Sequence, residues 1–212
     1  MTGGFEGWPR DAFDVLLRLE GEPSAAVRED CRREREELVR RPMVELLDVV
    51  AGADPAYEDF SVWGYGDVLL QAWQRQSAIV RLARNVELGI RFDLDGVEVG
   101  LAWWYAPSEQ IERYRAAVAD PGSGPRLVSI LKSVRRDGFA ITGDLLKRPL
   151  RGYPTDHPRA ELLRHKSLIA TRPLGCEDWI HTPAAADRVL ATFHQLRPLA
   201  RWLVKNVAGP RA

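Results

Sequence analysis

The chain has little lysine and no net charge. Only four of its 30 basic residues are lysines, and its 30 acidic residues leave a formal net charge of +0 at pH 7. A nucleic-acid-binding protein usually has a basic domain, so we expect no general nucleic-acid binding, although a local basic patch stays open. Because arginine replaces lysine along the whole chain, a high local count of arginine is weak support for a site.

Cysteine is scarce as well, since Cys31 and Cys176 form no CxxC pair. Neither a disulfide framework nor a zinc site is predicted, and the histidines lack metal-ligand spacing. P-loop, GxSxG, HExxH and GxGxxG motifs are absent, so we expect no cofactor. No apolar run reaches the ~18 residues of a membrane span, and the N-terminus lacks a signal core. We expect a cytoplasmic protein without a membrane segment.

The length and composition predict one domain of the α+β class. With 212 residues, 45% of them hydrophobic, the chain can bury one substantial core, and no linker divides residues 1–212. Apolar periodicity indicates a helical part over 8–52, a sheet-containing part over 56–174 and a long C-terminal helix over 182–207. We expect a small, mainly antiparallel sheet covered by several helices.

A hairpin over residues 87–105 is predicted at the centre of this sheet. Apolar residues alternate along both strands, which is the strand period; they are Leu88, Ile90, Phe92 and Leu94, then Val97, Val99, Leu101 and Trp103. The Asp95-Gly96 step favours a type I′ turn, and this register pairs Leu94 with Val97 on one buried face. Gly89 and Gly100 on the other face leave room for another element or a ligand.

Several local signals mark the helices. Residues 25–40 are predicted to form a solvated helix that Ser24 caps, with an apolar stripe of Val27, Cys31 and Leu38. Thr182 is a suitable cap for the C-terminal helix, which Pro198 is expected to kink or divide. Residues 68–82 follow neither the strand nor the helix period, so both structures stay open there.

The segment with the most candidate ligand-binding side chains lies between residues 143 and 166. Arginine can hold a phosphate or carboxylate through two hydrogen bonds, while lysine acts as a point charge. The segment is therefore a candidate site for an anionic small molecule, and a solvated basic rim is the alternative. The predicted ligand-binding residues are Lys147, Arg148, Arg151, Tyr153, Arg164 and Lys166.

The Asp156-His157-Pro158 step within that segment has two interpretations. Asp156 is a suitable cap for a helix over 158–165, with the proline in its first turn. If the chain is an enzyme, His157 is instead the predicted general acid or base, and Asp156 orients it.

The order and spacing of several motifs resemble the bacterial and fungal domain-of-unknown-function family 2461. The resemblance rests on the Gly-rich hairpin and on Pro107–Val118, Gly138–Gly143, Leu146–Pro149, Arg151–Tyr153, Asp156–Pro158 and Leu162–Lys166. It implies no assigned activity. The family usually carries an Asn-Asn-x-x-x-Trp-Phe segment after the first helix and an Arg-Phe-Ser-x-x-Lys-x-Pro-Tyr-Lys segment before the hairpin. Both segments are missing here, near 21–28 and 67–80. If an activity of the family needs the second, basic segment, this chain lacks that activity.

Three functions remain open on this sequence. The first is a soluble module that binds an anionic small ligand at 143–166. The second is a hydrolase or transferase that acts on a phosphorylated substrate, with His157 as acid or base. The third is a protein-interaction domain that uses the basic rim or Trp104, whose neighbour on the strand faces the core. The substrate, any protein partner and the oligomeric state do not follow from the sequence.

Overall fold

The computed structural model describes residues 4–64, 73–147, 152–154 and 156–209. These residues form an antiparallel sheet of six strands in the order β1-β2-β3-β4-β6-β5, and seven α-helices. The strands are β1 (Phe60–Val62), β2 (Gln76–Ala83), β3 (Val86–Asp93), β4 (Gly96–Trp103), β5 (Ala140–Thr142) and β6 (Leu168–Gly175). The helices are α1 (Asp11–Arg18), α2 (Ala25–Arg35), α3 (Arg41–Ala53), α4 (Ser108–Ala119), α5 (Ser123–Arg136), α6 (Ala160–Leu163) and α7 (Ala184–Leu203). The predicted α+β class is confirmed.

The chain divides into two compact units, and neither is a continuous piece of sequence. One unit comprises Met1–Val80, Gly89–Val99 and Pro173–Thr192, and the other comprises Arg81–Leu88, Gly100–Arg172 and Phe193–Ala212. We call them unit 1 and unit 2. The single domain over residues 1–212, with its three predicted parts, stays a prediction.

The hairpin forms at the centre of the sheet, as predicted, but its turn lies one residue earlier. β3 ends at Asp93 and β4 begins at Gly96, so Leu94 lies in the turn and not in the ladder. The Asp93 carboxylate accepts the Asp95 N–H at 3.0 Å, which is an Asx turn. Of the turn residues only Gly96 has a positive φ, at +96°. A type I′ turn needs two, so the predicted turn type and the Leu94–Val97 pair are wrong.

The predicted faces of the hairpin are correct. The predicted apolar residues within both strands are buried, namely Leu88, Ile90, Phe92, Val97, Val99, Leu101 and Trp103. The expected close approach occurs at Gly100, where a Cβ would lie 2.7 Å from the Ala170 oxygen on β6. Nothing lies within 4 Å of the Cβ position of Gly89. Glycine at position 100 therefore lets two neighbouring strands pack closely.

Helix α2 begins as predicted, and its buried face matches the predicted stripe only in part. The Ser24 hydroxyl accepts the Val27 N–H at 3.3 Å, which confirms the cap. The predicted stripe is only partly buried: Cys31 is buried, whereas Val27 is 37% exposed. Arg35 and Val39, which were not predicted to face inward, are buried as well. The Arg35 guanidinium reaches carbonyl oxygens of Trp73 and Arg75. A π-helical turn at Glu36–Arg40 follows α2 and shifts the period, a change that the apolar pattern does not reveal.

Stacked aromatic rings form part of the core of unit 1. Trp8 stacks on Phe92 with ring centroids 4.5 Å apart, and Phe13 meets Phe92 edge-on at 5.3 Å. The indole N–H of Trp8 donates to the Val39 oxygen at 3.1 Å. The N-terminal segment is therefore tied to the helices that follow it.

A second aromatic group stabilises unit 2. The ring of Tyr114 on α4 stacks on Trp103 of β4 at 4.7 Å, and Trp202 of α7 meets it edge-on at 6.0 Å. The buried Gln110 amide accepts the Trp103 indole N–H at 3.2 Å and donates to the Arg84 oxygen at 3.1 Å. These contacts hold α4 on the strand that leads to Trp104.

The C-terminal helix is long, as predicted. The Thr182 hydroxyl accepts the Ala184 N–H at 3.3 Å, which confirms the cap. Pro198 lies inside α7, which continues to Leu203 before a π-helical turn at Val204–Ala208. The proline therefore does not divide the helix. None of the helices in the described part of the chain is long and apolar enough to cross a membrane.

Candidate functional site: an aromatic cleft beside a bulged ladder

A short bulged ladder continues the pairing of β5 with β6. The regular register ends with Thr142 opposite Ile169, and an isolated bridge then pairs Leu145 with His165. Two residues separate these pairs on the first chain segment and three on the second, so the second carries an extra residue, as in a β-bulge. Bulges of this kind re-aim side chains and are common next to functional sites.

Hydrogen bonds hold the two sides of this ladder together. The Leu146 N–H donates to the Arg164 oxygen at 2.9 Å, and the Lys166 N–H donates to the Asp144 oxygen at 2.8 Å. The Ser167 hydroxyl accepts the Asp144 N–H at 2.7 Å. The two ends of the segment predicted to carry the site are therefore adjacent in the fold, although Asp144 and Lys166 are 22 positions apart in sequence.

A cleft of about 500 Å³ opens beside the ladder. We call it the aromatic cleft; its lining residues are Trp104, Tyr105, Ala106, Ile111, Gly143, Asp144, Lys166, Ser167 and Ile169. The volume is in the range of small-molecule sites. All these residues belong to unit 2, so one compact unit supplies the cleft.

Two adjacent aromatic residues form one wall of the aromatic cleft. The rings of Trp104 and Tyr105 lie 4.8 Å apart, and the Trp104 indole N–H donates to Glu87 at 3.0 Å. Tyr105 is 82% exposed and has a φ of +46°, which is rare and strained for a residue with a side chain. The side-chain amide of Asn85 donates to the Tyr105 oxygen at 3.2 Å and supports this backbone. Strain held in place beside a cleft is typical of ligand sites.

Besides the Tyr105 hydroxyl, the polar side chains that line the cleft include one cation, one anion and the hydroxyl of Ser167. The Lys166 and Asp144 side chains are exposed, and neither forms an ion pair with any described residue. Ser167 is only 6% exposed. Its oxygen already accepts a hydrogen bond, while its hydroxyl hydrogen has no acceptor in the described part of the chain. Both Lys166 and Ser167 can therefore donate to an oxygen of a ligand.

His165 lies next to the cleft within the ladder. Its Nδ1 is 2.9 Å from the Ser167 oxygen; a carbonyl only accepts, so Nδ1 carries the hydrogen and Nε2 keeps a lone pair in the neutral ring. Partial burial lowers the pKa of His165, and the charges of Arg135 and Arg164 act in the same direction. The imidazole is therefore neutral at neutral pH.

Arg164 and Lys147, both predicted to bind the ligand, differ in whether protein groups already bind their charged ends. The guanidinium of Arg164 is bound by protein groups, with Nε donating to the Leu146 oxygen at 2.9 Å and a 3.2 Å ion pair to Glu161. It braces the ladder. Lys147 follows the ladder directly, is exposed and has no hydrogen bond or ion pair with the described residues.

The Asp156-His157 step is built into a turn. The Nδ1 atom of His157 accepts the Arg159 N–H at 3.1 Å. Helix α6 starts only at Ala160, ends at Leu163 and has no side-chain cap. The predicted helix over 158–165 thus forms over a shorter range, and the predicted Asp156 cap is wrong, because the His157 side chain takes the Arg159 N–H that precedes the helix. Asp156 is exposed and forms no hydrogen bond with His157. The catalytic roles proposed for both residues stay predictions.

The remaining predicted ligand-binding residues add little to the geometry. Tyr153 is half-buried, and Arg148 and Arg151 lie outside the described residues. Of the described members of the predicted set, only Lys166 lines the aromatic cleft. Sequence reasoning missed Tyr105, Asp144 and Ser167 as lining residues; the adjacent pair Trp104-Tyr105 at the end of a strand is the signal that points to the wall.

Among the described residues, no group of three or more His, Cys, Asp or Glu side chains is arranged to hold a metal ion.

Comparisons with known proteins identify a family but no activity. No curated protein and no solved structure matches the chain. A family model described as "Conserved hypothetical protein (DUF2461)" matches residues 79–202, which is more than half of the 212 residues. This span includes the aromatic cleft and the segment 143–166. The resemblance drawn from the motifs is thus confirmed, and the chain belongs to this conserved hypothetical protein family.

Proposed function

We propose that the protein is a ligand-binding module that takes a small anionic compound with a flat ring in the aromatic cleft. One observation supports this most: the bulged ladder sets Lys166, Ser167 and Asp144 in the same cleft as the Trp104–Tyr105 wall. The cleft thus offers an apolar face and a small number of polar groups, which is the usual composition of a small-molecule site.

The anionic group of the ligand is expected at Lys166. Its ammonium group is not neutralised by a described carboxylate, and a phosphate or carboxylate there gains a charge-assisted hydrogen bond. The hydroxyl hydrogen of Ser167 offers a second donor. A contact of this kind contributes about 1.5–3 kcal/mol, so losing it weakens binding roughly tenfold or more.

The ring of the ligand is expected against Trp104 and Tyr105. Aromatic side chains that stack on a flat ligand contribute about 0.5–1.5 kcal/mol beyond the area they bury. The Asp144 carboxylate accepts hydrogen bonds, so it favours a ligand that also carries a hydroxyl or amino group. Nucleotides and hydroxylated or amino-substituted aromatic acids combine these three features.

The alternative functions have less support. A hydrolase or transferase with His157 as acid or base requires this side chain at the ligand, and His157 is absent from the described lining of the cleft. The protein-interaction reading finds support in the exposure of Tyr105 (82%) and Leu145 (44%) beside the cleft. The ligand-binding proposal and the protein-interaction alternative differ in whether a small molecule alone stabilises the protein.

A thermal-shift screen tests the proposal. We expect at least one compound from a panel of nucleotides, sugar phosphates, phospholipid head groups, polyphosphate and aromatic acids to stabilise the wild type. At a hundredfold excess over Kd the gain is about 2.7 kcal/mol, which is roughly 5–10 °C in Tm for a chain of this size. Lys166→Gln and Tyr105→Ala should each reduce the shift, whereas Lys132→Gln on α5 should keep it.

Lys132 is a matched control because its side chain is also an exposed lysine and lies outside the cleft. Arg164 is unsuitable for this test, since its replacement removes the brace of the ladder. The proposal fails if no compound stabilises the wild type, or if the shift is the same in Lys166→Gln as in Lys132→Gln. Loss of the shift in Lys147→Gln would extend the site to Lys147.

A further inference from the structure

A second cleft of about 620 Å³ lies in unit 2, where α5 begins and α7 ends. Its lining includes three basic side chains, from Arg126, Arg201 and Lys205, together with Ser123, Trp202 and Asn206. We call it the basic cleft. None of its lining residues belongs to the aromatic cleft.

None of the three cations of the basic cleft has a counter-charge among the described residues. Arg126, Arg201 and Lys205 form no ion pair or hydrogen bond with any described residue, and no acidic residue is among those that line the cleft. Arg201 and Lys205 are four residues apart at the end of α7, a spacing at which like charges repel. In a chain with equal numbers of acidic and basic residues, an unmatched trio of cations around one cavity favours an anion.

Asp120, two residues before the lining residue Gly122, is already hydrogen-bonded to the start of α5. Asp120 accepts the N–H groups of Gly122 (2.9 Å) and Ser123 (2.7 Å) and the Ser123 hydroxyl (3.0 Å). These hydrogen bonds lower the pKa of Asp120. The backbone donors at the start of α5 are therefore satisfied by protein, and attraction for an anion comes from the three side chains alone.

The floor of the basic cleft is held in place by hydrogen bonds. The Trp202 indole N–H donates to the Ser123 oxygen at 3.0 Å, which ties α7 to the start of α5. The Asn206 amide donates to the Trp202 oxygen at 2.8 Å, in the π-helical turn that carries Lys205. Single π-turns are frequent at functional sites. The cavity is thus preformed, which lowers the entropic cost of binding.

We propose that the basic cleft binds a small molecule with several phosphate charges. Two guanidinium groups can each hold a phosphate through paired hydrogen bonds, and the ammonium group of Lys205 adds a point charge. Three cations match the charge of a di- or triphosphate better than that of a single carboxylate. The volume suits a small molecule. The buried indole of Trp202 (4% exposed) offers little ring surface, so the phosphates and not a base carry the recognition.

Isothermal titration of the full chain with inorganic tripolyphosphate at physiological ionic strength tests this site. We expect the wild type to bind, and Arg201→Gln/Lys205→Gln to bind about tenfold more weakly or not at all. The matched control is Lys132→Gln/Arg136→Gln, which removes the same charge from exposed positions of α5 outside the cleft. It should bind like the wild type, and circular dichroism should show both variants folded.

The same double variant separates this proposal from the aromatic cleft. Arg201→Gln/Lys205→Gln should keep the thermal shift of any ligand of the aromatic cleft, because neither residue lines that cleft, so either site can fail alone. Three results would overturn the basic cleft: no binding of tripolyphosphate to the wild type, an equal loss in both double variants, or binding of a single-stranded oligonucleotide that tripolyphosphate does not displace. The last result would indicate a polymer and not a small molecule.

Discussion

At the scale of single residues, Tyr114 combines complete burial with a hydroxyl that has no hydrogen-bond partner in the described part of the chain. The ring is well placed, since it packs between Trp103 and Trp202. Burial raises the pKa of Tyr114, which keeps the phenol neutral. An unpaired buried polar group costs about 1–3 kcal/mol, so the ring stabilises the fold while the oxygen opposes it.

Replacement of Tyr114 separates these two effects. Tyr114→Phe is expected to raise the free energy of unfolding by about 1 kcal/mol, because it removes only the unpaired oxygen. Tyr114→Ala should lower it by about 3–5 kcal/mol through the cavity it leaves. Urea unfolding followed by circular dichroism measures both. The exposed Tyr105→Phe serves as a control with a change below about 0.5 kcal/mol, and a loss of stability in Tyr114→Phe would contradict the prediction.

His165 makes the stability depend on pH. Burial lowers its pKa in the folded state below the unfolded value, so the unfolded chain binds more protons and stability rises with pH. The contribution is complete above the unfolded pKa, near 6.5, and is lost as the pH falls through the folded pKa. We expect the drop in Tm between neutral and mildly acidic pH to be smaller in His165→Asn, whose amide can still donate to the Ser167 oxygen. Parallel Tm–pH curves for the two proteins would rule this out.

At the scale of secondary structure, Arg159 links the turn before α6 to the end of α4. Its Nε donates to the Val118 oxygen at 2.6 Å, and its Nη2 donates to the Ala119 oxygen at 3.0 Å. The last carbonyl groups of a helix have no partners within it, and a cation there also favours the helix dipole. The turn that contains His157 thus positions Arg159 at the end of α4. We call these two hydrogen bonds the clamp.

Arg159→Met keeps most of the aliphatic stem and removes the clamp. We expect it to lower the free energy of unfolding by about 2–3 kcal/mol, since two charge-assisted hydrogen bonds are lost. Arg136→Met on α5 is the matched control, at about 0.5 kcal/mol or less. Equal stability of the two variants in urea would show that the clamp contributes nothing.

Gly124 tests the same clamp from the other side. A Cβ at this position would lie 2.2 Å from the Val118 oxygen and 2.5 Å from Arg159 Nε. Alanine is preferred to glycine inside helices by about 1 kcal/mol, but a clash with backbone and clamp outweighs this, since overpacking costs about 1–3 kcal/mol. Gly124→Ala should therefore destabilise the protein in thermal unfolding, and a rise in Tm would contradict this.

At the scale of the whole molecule, the strands β2, β3, β4 and β6 and the helix α7 each contribute residues to both units. If one unit unfolds, the strands and the helix that it shares with the other unit are shortened. We therefore expect a single cooperative transition in urea, with far-UV circular dichroism and tryptophan fluorescence changing together. Two separated transitions would contradict the predicted single domain over residues 1–212.

Local signals in the sequence were sufficient to predict the elements whose conformation depends on residues close to one another in the chain. The alternation along the central hairpin, the Ser24 and Thr182 caps and the motifs of the family all depend on residues a few positions apart, so their outcome follows from the sequence alone. The turn of the hairpin was predicted wrongly because the Asp93 side chain competes with the type I′ conformation. The residues of β2 were ambiguous because its buried positions include the polar Gln76, whereas the apolar Ile79 and Leu82 are only half-buried.

The tertiary structure decided which side chains are free to bind. Arg159 and Val118 are 41 residues apart, and no local pattern shows that such an arginine is bound by a distant carbonyl while Lys166 is not. The bulge that sets Lys166 beside Trp104 and Tyr105 likewise depends on the register between two strands. The sequence by itself thus determined the family, the fold class and the segment of interest. Long-range hydrogen bonds decided its geometry, because they form only between residues that folding brings together.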